Sequence, residues 1–422
     1  MAPRGKNTVF RATGIPLGEK ADILLKAALA DLSEDKVDED SIEILKEALS
    51  SGTGGSFLEL SDEQQARAFV RAAIRLELTE EERKQLKIGI EIIPCCYNHS
   101  RRSALVHFVG GDPKFTLDPD GEPREQFQIV VDAADISFDR HFCGFTQMYA
   151  TEGGIVADVV AVTGLNGHSW GSWRGREKAG RMWLRDYLGQ DLPQFRTMTY
   201  GYNSKLHAHN VDTILDYGLG FLEEIRKVRA TNEEKERPLI LMGHSFGGLL
   251  VAHSLVKGFI RKEDDPLYRA TVGIIFFGVP HKGLVVADMK SMLQEKHPRQ
   301  ELLNQITRNS QMLANQLADF KNIIEDRKIV SFYERQQTGL LKQDPETGRW
   351  KRGKDDYSTA VDEESALLQF PDKMEVKIPV DADHSNMVKF DSQNNQTYSS
   401  VLGHLKAIAS SSRGVVGNRF CA

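Results

Sequence analysis

Residues 243–248 read GHSFGG and carry the strongest chemical signal in the sequence. The run lies between an apolar strand-like segment, PLILM, and an apolar helix-like segment, LLVAHSLV. A serine on a tight turn between a strand and a helix is lifted into a pocket, and flanking glycines let the turn close without side-chain clashes. The pattern therefore predicts that Ser245 is a catalytic nucleophile.

A base is the next requirement, because a serine hydroxyl is a poor nucleophile at neutral pH. His384 stands in DADHSN, directly after the last predicted strand. The chain order serine, acid, histidine is the one expected when this elbow is carried by a parallel sheet. We therefore predict that His384 is the base.

The acid that orients the base has two candidates. Glu334 ends the strand-like segment SFYE, where a carboxylate at the end of a parallel strand can reach the imidazole. Asp362, in AVDEESA, precedes the histidine more closely along the chain. Glu334 is the preferred acid, and Asp362 remains the alternative.

The oxyanion of such a reaction needs amide donors close to the nucleophile. The turn TGLNGH, residues 163–168, follows a predicted strand and offers flexible backbone. We expect the amides of Leu165 and Phe246, the residue after the nucleophile, to be the donors. This chemistry requires no metal and no organic cofactor.

The elements that must position these residues begin near Ile155, where apolar strands start to alternate with amphipathic helices. Such alternation predicts an α/β fold, with a mostly parallel sheet and helices on both faces. The predicted strands are Ile155–Thr163, Phe195–Tyr202, Pro238–Gly243, Thr271–Val279, Lys328–Tyr333 and Glu375–Val380, and the predicted helices are Glu177–Leu188, Asp212–Val228, Gly247–Ile260 and Asn394–Ser410.

Two further segments of this region have a distinct pattern. Residues 284–326 are helical in periodicity, which predicts a cap over the pocket or, alternatively, ordinary packing helices. Residues 339–358 are turn-rich and mixed in charge, and they predict an exposed loop. The α/β domain as a whole is expected to span residues 151–415.

Residues 1–150 predict a separate small α+β domain, because helix-like and strand-like segments mix locally there. We expect a docking or regulatory module with a protein partner. A faint likeness to an RNA-recognition sandwich lacks the aromatic, glycine-containing strand that stacks bases. The predicted helices are Lys20–Leu32 and Ser61–Leu78, and the predicted strands are Thr8–Thr13, Lys87–Tyr97, Ser103–Val109 and Gln126–Ala133.

The charge balance, 54 Lys and Arg against 60 Asp and Glu, gives a net charge of −6 over 422 residues. Such a chain has no general attraction for phosphate backbones, so we expect no nucleic-acid partner. The four cysteines form neither a disulfide framework nor a CxxC zinc pattern. We expect a cytoplasmic protein, with peripheral association with the mitochondrion or endoplasmic reticulum left open.

The runs AVTGLNGHSWGSW, LILMGHSFGGLLV, GIIFFGVPHKG, SFYE and DADHSNMVKF occur in this order. Together they resemble the α/β-hydrolase domain of the serine-active-site-containing protein family, in its fungal form with an N-terminal extension. The resemblance implies an esterase or lipase-type triad of Ser245, His384 and Glu334. Thr163 departs from the pattern, since many relatives have histidine there, but this side chain is not a triad member.

The expected function is that of a serine hydrolase cleaving carboxylic esters, lipid or other acyl esters, with transient membrane contact. The alternative is a catalytically weak signalling or interaction module. In that reading the chain is the N-terminal effector domain of a fungal receptor-like protein, because the same domain heads longer chains in fungal relatives. Fold alone does not decide between the two.

Overall fold

The structure is a computed structural model that describes residues 8–24, 58, 60–177, 180–263, 265–293, 296–343 and 350–421, with the backbone alone at 341–343 and 350–355. The chain divides into two compact units, Met1–Phe142 and Cys143–Ala422. The division falls before the expected boundary at residue 150, because the strand Gly144–Gln147 pairs with a strand of the second unit.

The first unit contains an antiparallel sheet with the order β2-β3-β1-β5-β4 in its described part. Helix α1 begins after Ser61, whose hydroxyl accepts from the Gln64 amide while the Gln64 side chain caps the Ser61 amide. The elements are β1 (Val9–Thr13), α1 (Asp62–Glu77), α2 (Glu80–Gln85), β2 (Lys87–Pro94), β3 (Arg102–Val109), β4 (Gln126–Val131) and β5 (Ala134–Asp139).

The core of the first unit lies between α1 and one face of this sheet. Phe69 and Ile74 of α1 are fully buried in the same cluster as Phe10, Phe108 and Phe138 of the strands. Residues 18–24 are helical, and the remainder of the helix predicted over Lys20–Leu32 lies outside the described residues. Strand β5 was not predicted, and its pairing with β1 and β4 completes the sheet.

The second unit alternates strands and helices along the chain. Its elements are β6 (Gly144–Gln147), β7 (Ala157–Val162), α3 (Trp183–Asp186), α4 (Leu188–Asp191), β8 (Phe195–Gly201), α5 (Ile214–Val228), α6 (Asn232–Lys235), β9 (Leu239–His244), α7 (Phe246–Ile260), α8 (Asp265–Ala270), β10 (Thr271–Phe277), α9 (Ala287–Ser291), α10 (Arg299–Ile306), α11 (Gln311–Ile323), β11 (Lys328–Glu334), β12 (Thr338–Gln343), β13 (Trp350–Ser358), α12 (Glu363–Ala366), β14 (Glu375–Val380), α13 (Gln396–Ser410) and α14 (Ser412–Cys421).

The main sheet of the second unit has the order β14-β11-β10-β9-β7-β8-β6 among the described strands. The pairings are parallel except between β6 and β8, where the edge strand runs antiparallel. Strands β7, β8, β9 and β10 are buried throughout, as expected for strands covered by helices on both faces. The expected mostly parallel sheet is confirmed.

Two expectations about this unit's elements were wrong, and one helix was not predicted. The helix predicted over Glu177–Leu188 is replaced by the short helices α3 and α4. The exposed loop predicted over residues 339–358 is an antiparallel hairpin, β12–β13, whose strands pair only with each other in the described structure. The sequence of this segment has no apolar alternation, so its strands were not visible in the sequence. Helix α14 follows the last predicted helix.

The helical stretch over residues 284–326 has two roles. Leu284, Met289 and Ile306, from the segment that contains α9 and α10, line the cavity described below. Helix α11 instead packs on α7, where the Gln316 side chain donates to the Leu249 carbonyl at 2.8 Å. Of the helices that the structure describes, none is both long and apolar enough to cross a bilayer.

Candidate active site

Ser245 occupies a strained turn between β9 and α7. Its φ of 54° and ψ of −127° lie in a backbone region that residues other than glycine rarely adopt. The turn is held because the Ser245 amide donates to the Phe277 carbonyl at 2.9 Å and the Gly248 amide donates to the Ser245 carbonyl at 3.0 Å. The side chain therefore stands at the carboxyl edge of the sheet, as the motif predicts.

The glycine two residues after Ser245 is required by close packing. A Cβ at Gly247 would lie 2.4 Å from the carbonyl oxygens of Val162, the last residue of β7, and of Thr163, which follows it. No side chain fits at that distance, so only glycine lets α7 start this close to the neighbouring strand. The elbow geometry is thereby dictated by both the local motif and the adjacent strand.

His384 lies in the turn after β14 and is 8% exposed. Its Nδ1 is 3.5 Å from Oε2 of Glu334, and its main-chain amide donates to Thr338 Oγ1 at 3.3 Å. His384 and Ser245 line the same cavity. With Nδ1 directed at Glu334, Nε2 is the nitrogen free to serve the nucleophile.

Glu334 is the last residue of β11 and its side chain is fully buried. Strand β11 runs parallel to β14, and Glu334 pairs with Val380, shortly before His384 along the chain. Its Oε1 accepts from the Val361 amide at 2.7 Å, which orients the carboxylate and leaves Oε2 toward the imidazole. Parallel pairing thus brings acid and base to one edge of the sheet.

Asp362, the alternative acid, has another set of contacts. Its carboxylate caps α12 by accepting from the Ser365 amide at 2.9 Å, and it forms an ion pair with Arg308. Both interactions are typical of a structural N-cap. Of the two carboxylates, Glu334 is the one brought within 4 Å of the His384 imidazole.

The predicted oxyanion donors, Leu165 and Phe246, both line the cavity beside Ser245. The turn that contains Leu165 lies against the elbow, because a Cβ at Gly164 would be only 2.9 Å from the Ser245 Cβ. The amide of Phe246 is at the N-terminus of α7, where helix amides lack intrahelical partners. Both residues therefore lie at the cavity together with Ser245.

The cavity has a volume of about 500 Å³, in the range of small-molecule sites. One wall is apolar and comes from three separate segments of the chain. Its members include Leu206, Phe246, Leu284, Met289 and Ile306. Polar lining residues include Asn166, Asp288 and Lys389 besides Ser245 and His384.

Two residues close in sequence to the predicted site, Trp173 and His281, lie in the core. Trp173 is fully buried and packs edge-on against Trp183 and Phe277. His281 is buried with its ring 4.9 Å from that of Phe276. Burial lowers the pKa of His281 to about 3, so this imidazole is neutral.

His244 is a site residue that the sequence reasoning did not single out. It lines the cavity, and its ring centroid is 5.0 Å from that of His384. Burial, followed by the nearby His384, lowers the pKa of His244 to about 3. Its position inside the GHSFGG run was the only available signal, since the contact with His384 joins residues 140 apart in sequence.

Comparison with known sequences gives matches to part of the chain. No family model matches. Protein SERAC1 of Danio rerio is 30% identical over 202 residues, which cover 43% of this chain and 30% of that protein. Protein SERAC1 of Homo sapiens is 26% identical over 260 residues, covering 57% of this chain and 37% of that protein. The match therefore spans well under half the length of these relatives.

Among solved structures, the mature lipase BlEst2 of Bacillus licheniformis is 15% identical, with a TM-score of 0.41. The match covers 61% of this chain and 97% of that one. Independently of any relative, the second unit has a mostly parallel sheet with an antiparallel edge strand and a serine on a strand-to-helix elbow. Its fold is the α/β-hydrolase fold.

Proposed function

We propose that the second unit hydrolyses carboxylic esters, with Ser245 as nucleophile, His384 as base and Glu334 as the acid that orients the base. The observation that carries the proposal is the strained φ of Ser245 at a cavity that His384 also lines. Backbone strain at a polar residue beside a pocket is typical of a reactive group held ready for chemistry.

The proposed reaction has two stages, acylation of the serine and hydrolysis of the acyl-serine. Ser245 Oγ attacks the ester carbonyl carbon while its proton passes to His384 Nε2, and the carbonyl π electrons become an oxyanion held by the Leu165 and Phe246 amides. The tetrahedral adduct collapses, the bond to the alcohol oxygen breaks, and His384 returns the proton to that oxygen. Water then attacks the acyl-serine by the same steps and releases the acid.

The apolar wall favours an ester with an acyl chain as the substrate. Leu206, Leu284 and Ile306 are almost completely buried around the cavity and offer no hydrogen-bond donors from their side chains. An alkyl chain gains about 0.8 kcal/mol per buried methylene on such a surface. A lipid ester fits this requirement, and its hydrolysis would involve transient contact with a membrane surface.

A fluorophosphonate probe tests the proposal directly. It should label wild type and Ser254→Ala, a control serine in α7 that does not line the cavity, at Ser245 as located by peptide mass spectrometry. Ser245→Ala should lose the label. Turnover of p-nitrophenyl acetate and octanoate should fall in parallel by at least about 10³-fold in this variant.

The outcomes separate an enzyme from the alternative of a signalling module. Retained turnover in Ser245→Ala would refute the nucleophile. Absence of both label and turnover in folded wild-type protein would refute the hydrolase proposal and favour the interaction module. Label without turnover of either ester would retain the nucleophile and reject the ester class.

A further inference from the structure

His244 is the last residue of β9 and directly precedes Ser245. Its Nε2 lies 2.9 Å from the main-chain carbonyl oxygen of His384. A carbonyl oxygen only accepts, so Nε2–H of His244 is the donor of this bond. The residue beside the predicted nucleophile therefore contacts the main chain of the predicted base.

The buried environment gives His244 a single protonation state. Burial lowers its pKa to about 3, and the charges of His384 and Lys389 act in the same direction. The ring is thus neutral at ordinary pH, and its one proton is used at Nε2. The hydrogen bond from His244 to the His384 carbonyl is therefore unaffected by titration of His244 near neutral pH.

The main chain of His384 is held from two sides. Its amide donates to Thr338 Oγ1 at 3.3 Å, and its carbonyl accepts from His244 at 2.9 Å. The first contact is at the long end of hydrogen-bond distances, whereas the second has ordinary length. Thr338 is the first residue of β12 and His244 the last of β9, so separate elements supply the two contacts.

We propose that His244 is a positioning residue, whose Nε2–H holds the peptide of His384 so that the imidazole stays between Ser245 and Glu334. The inference rests on the proposed function and adds a residue that couples the elbow to the base. Small displacements of a catalytic group cost about 10²-fold in rate, so loss of this bond should appear in kcat. Substrate binding should be affected far less, because the bond is made to the main chain.

Steady-state kinetics of three variants tests this role. His244→Leu removes the donor, His244→Gln restores an N–H donor at similar reach, and His253→Leu removes another buried histidine that does not line the cavity. We expect His244→Leu to lower kcat about 10- to 100-fold with KM within about twofold. His244→Gln should recover most of the loss, and His253→Leu should retain wild-type kcat.

Two outcomes would overturn the inference while leaving the hydrolase proposal intact. One is folded His244→Leu protein, judged by its melting temperature, with wild-type kcat. The other is folded His244→Gln protein with no recovery over His244→Leu, which would assign the loss to shape instead of the hydrogen bond. Should His244→Leu fail to fold, His244→Gln with near-wild-type kcat supports the role, and His244→Gln with strongly reduced kcat contradicts it.

A spectroscopic measurement separates this inference from the enzymatic proposal. In protein labelled with 15N-histidine, the His244 resonances are those lost in His244→Gln. They should show the neutral tautomer with the proton on Nε2. A proton on Nδ1, or a charged ring at pH 7, would contradict the bond whether or not Ser245→Ala abolishes turnover. Turnover that persists in Ser245→Ala would refute the proposed function, and with it the catalytic role of His244.

Discussion

The carboxylate of Glu334 and the imidazole of His384 face each other across a gap of 3.5 Å between Oε2 and Nδ1. Among the described residues, both atoms are buried and have no hydrogen-bond partner. Buried polar atoms are almost always paired, so two adjacent unpaired atoms indicate an interaction that tightens during use. The other carboxylate oxygen is fixed by Val361, which limits the movement needed to a small rotation.

Replacement of the acid should therefore be costly. We expect Glu334→Gln, which keeps size and removes charge, to lower kcat for p-nitrophenyl acetate roughly 10³-fold or more, because the imidazolium formed in the reaction loses its partner. Asp362→Asn is the matched control, since asparagine also caps helices. Its kcat should stay within about twofold of wild type. A larger loss of kcat in Asp362→Asn than in Glu334→Gln would identify Asp362 as the acid.

Gly164 provides a test of the packing between the oxyanion turn and the elbow. A Cβ at this position would be 2.9 Å from the Ser245 Cβ, so Gly164→Ala must displace the turn or the nucleophile. We expect kcat/KM to fall about 100-fold. At Gly403, in α13, a Cβ would meet no atom within 4 Å.

Gly403→Ala is accordingly the control for glycine replacement. It should retain activity and raise the free energy of unfolding by up to about 1 kcal/mol, since alanine is favoured over glycine in a helix. Equal activity of the Gly164→Ala and Gly403→Ala proteins would contradict the close approach at the elbow.

The elbow could be predicted from the sequence because its signal is contiguous. Strand, turn and helix occupy neighbouring residues, and the order of β-α units follows from apolar periodicity alone. The expected strand over Glu375–Val380 has the observed bounds, and the helix expected from Gly247 begins one residue earlier. Local chemistry determines all of these features.

Long-range relationships account for what could not be predicted. The choice between Glu334 and Asp362 depends on which strand lies beside β14. The contact of His244 with His384 depends on how the end of β9 meets the turn after β14. The edge strand β6 has four residues, too few for a periodic signal. None of these follows from residues adjacent in sequence.

A buried charge cluster at Asp158 should dominate the acid sensitivity of the second unit. Asp158 is fully buried, accepts two bonds from Arg196 at 2.9 and 2.6 Å, and also pairs with Arg229 and Arg237. Burial alone would raise the pKa of Asp158, but the charges of Arg229 and Arg196 hold it below its usual value. The carboxylate therefore stays ionised to lower pH than an ordinary aspartate.

Asp158→Asn should lower the free energy of unfolding by about 3–5 kcal/mol at pH 7, because it removes the negative charge that three buried guanidinium groups share. A depressed carboxyl pKa contributes stability above about pH 4, and this contribution is lost as pH falls through the folded-state value. The difference in free energy of unfolding between wild type and Asp158→Asn, measured by urea denaturation, should thus be smaller at pH 3 than at pH 7. Glu223→Gln, at an exposed pair, should change stability by less than about 1 kcal/mol.

Arg299 links the segments that form the apolar wall of the cavity. The side chain is fully buried and donates to the carbonyls of Asn203 and Lys205 at 3.0 and 3.3 Å and to the Tyr217 hydroxyl at 2.6 Å. Lys205 precedes Leu206, and the helix that begins at Arg299 ends at Ile306, so Arg299 joins two parts of that wall. Its planar fork suits three acceptors at fixed angles.

Loss of this fork should alter the selectivity for acyl chain length more than the chemical step. Arg299→Met removes one hydrogen-bond donor from each of the Lys205 and Asn203 carbonyls and loosens Leu206 against Ile306, so KM for p-nitrophenyl octanoate should rise several-fold. Turnover of the acetate, whose acyl group does not extend along the wall, should change by less than about twofold. Arg299→Lys retains the positive charge but lacks the planar guanidinium. Its KM for p-nitrophenyl octanoate should lie between those of Arg299→Met and wild type. An equal loss on both esters would instead indicate a general effect on folding.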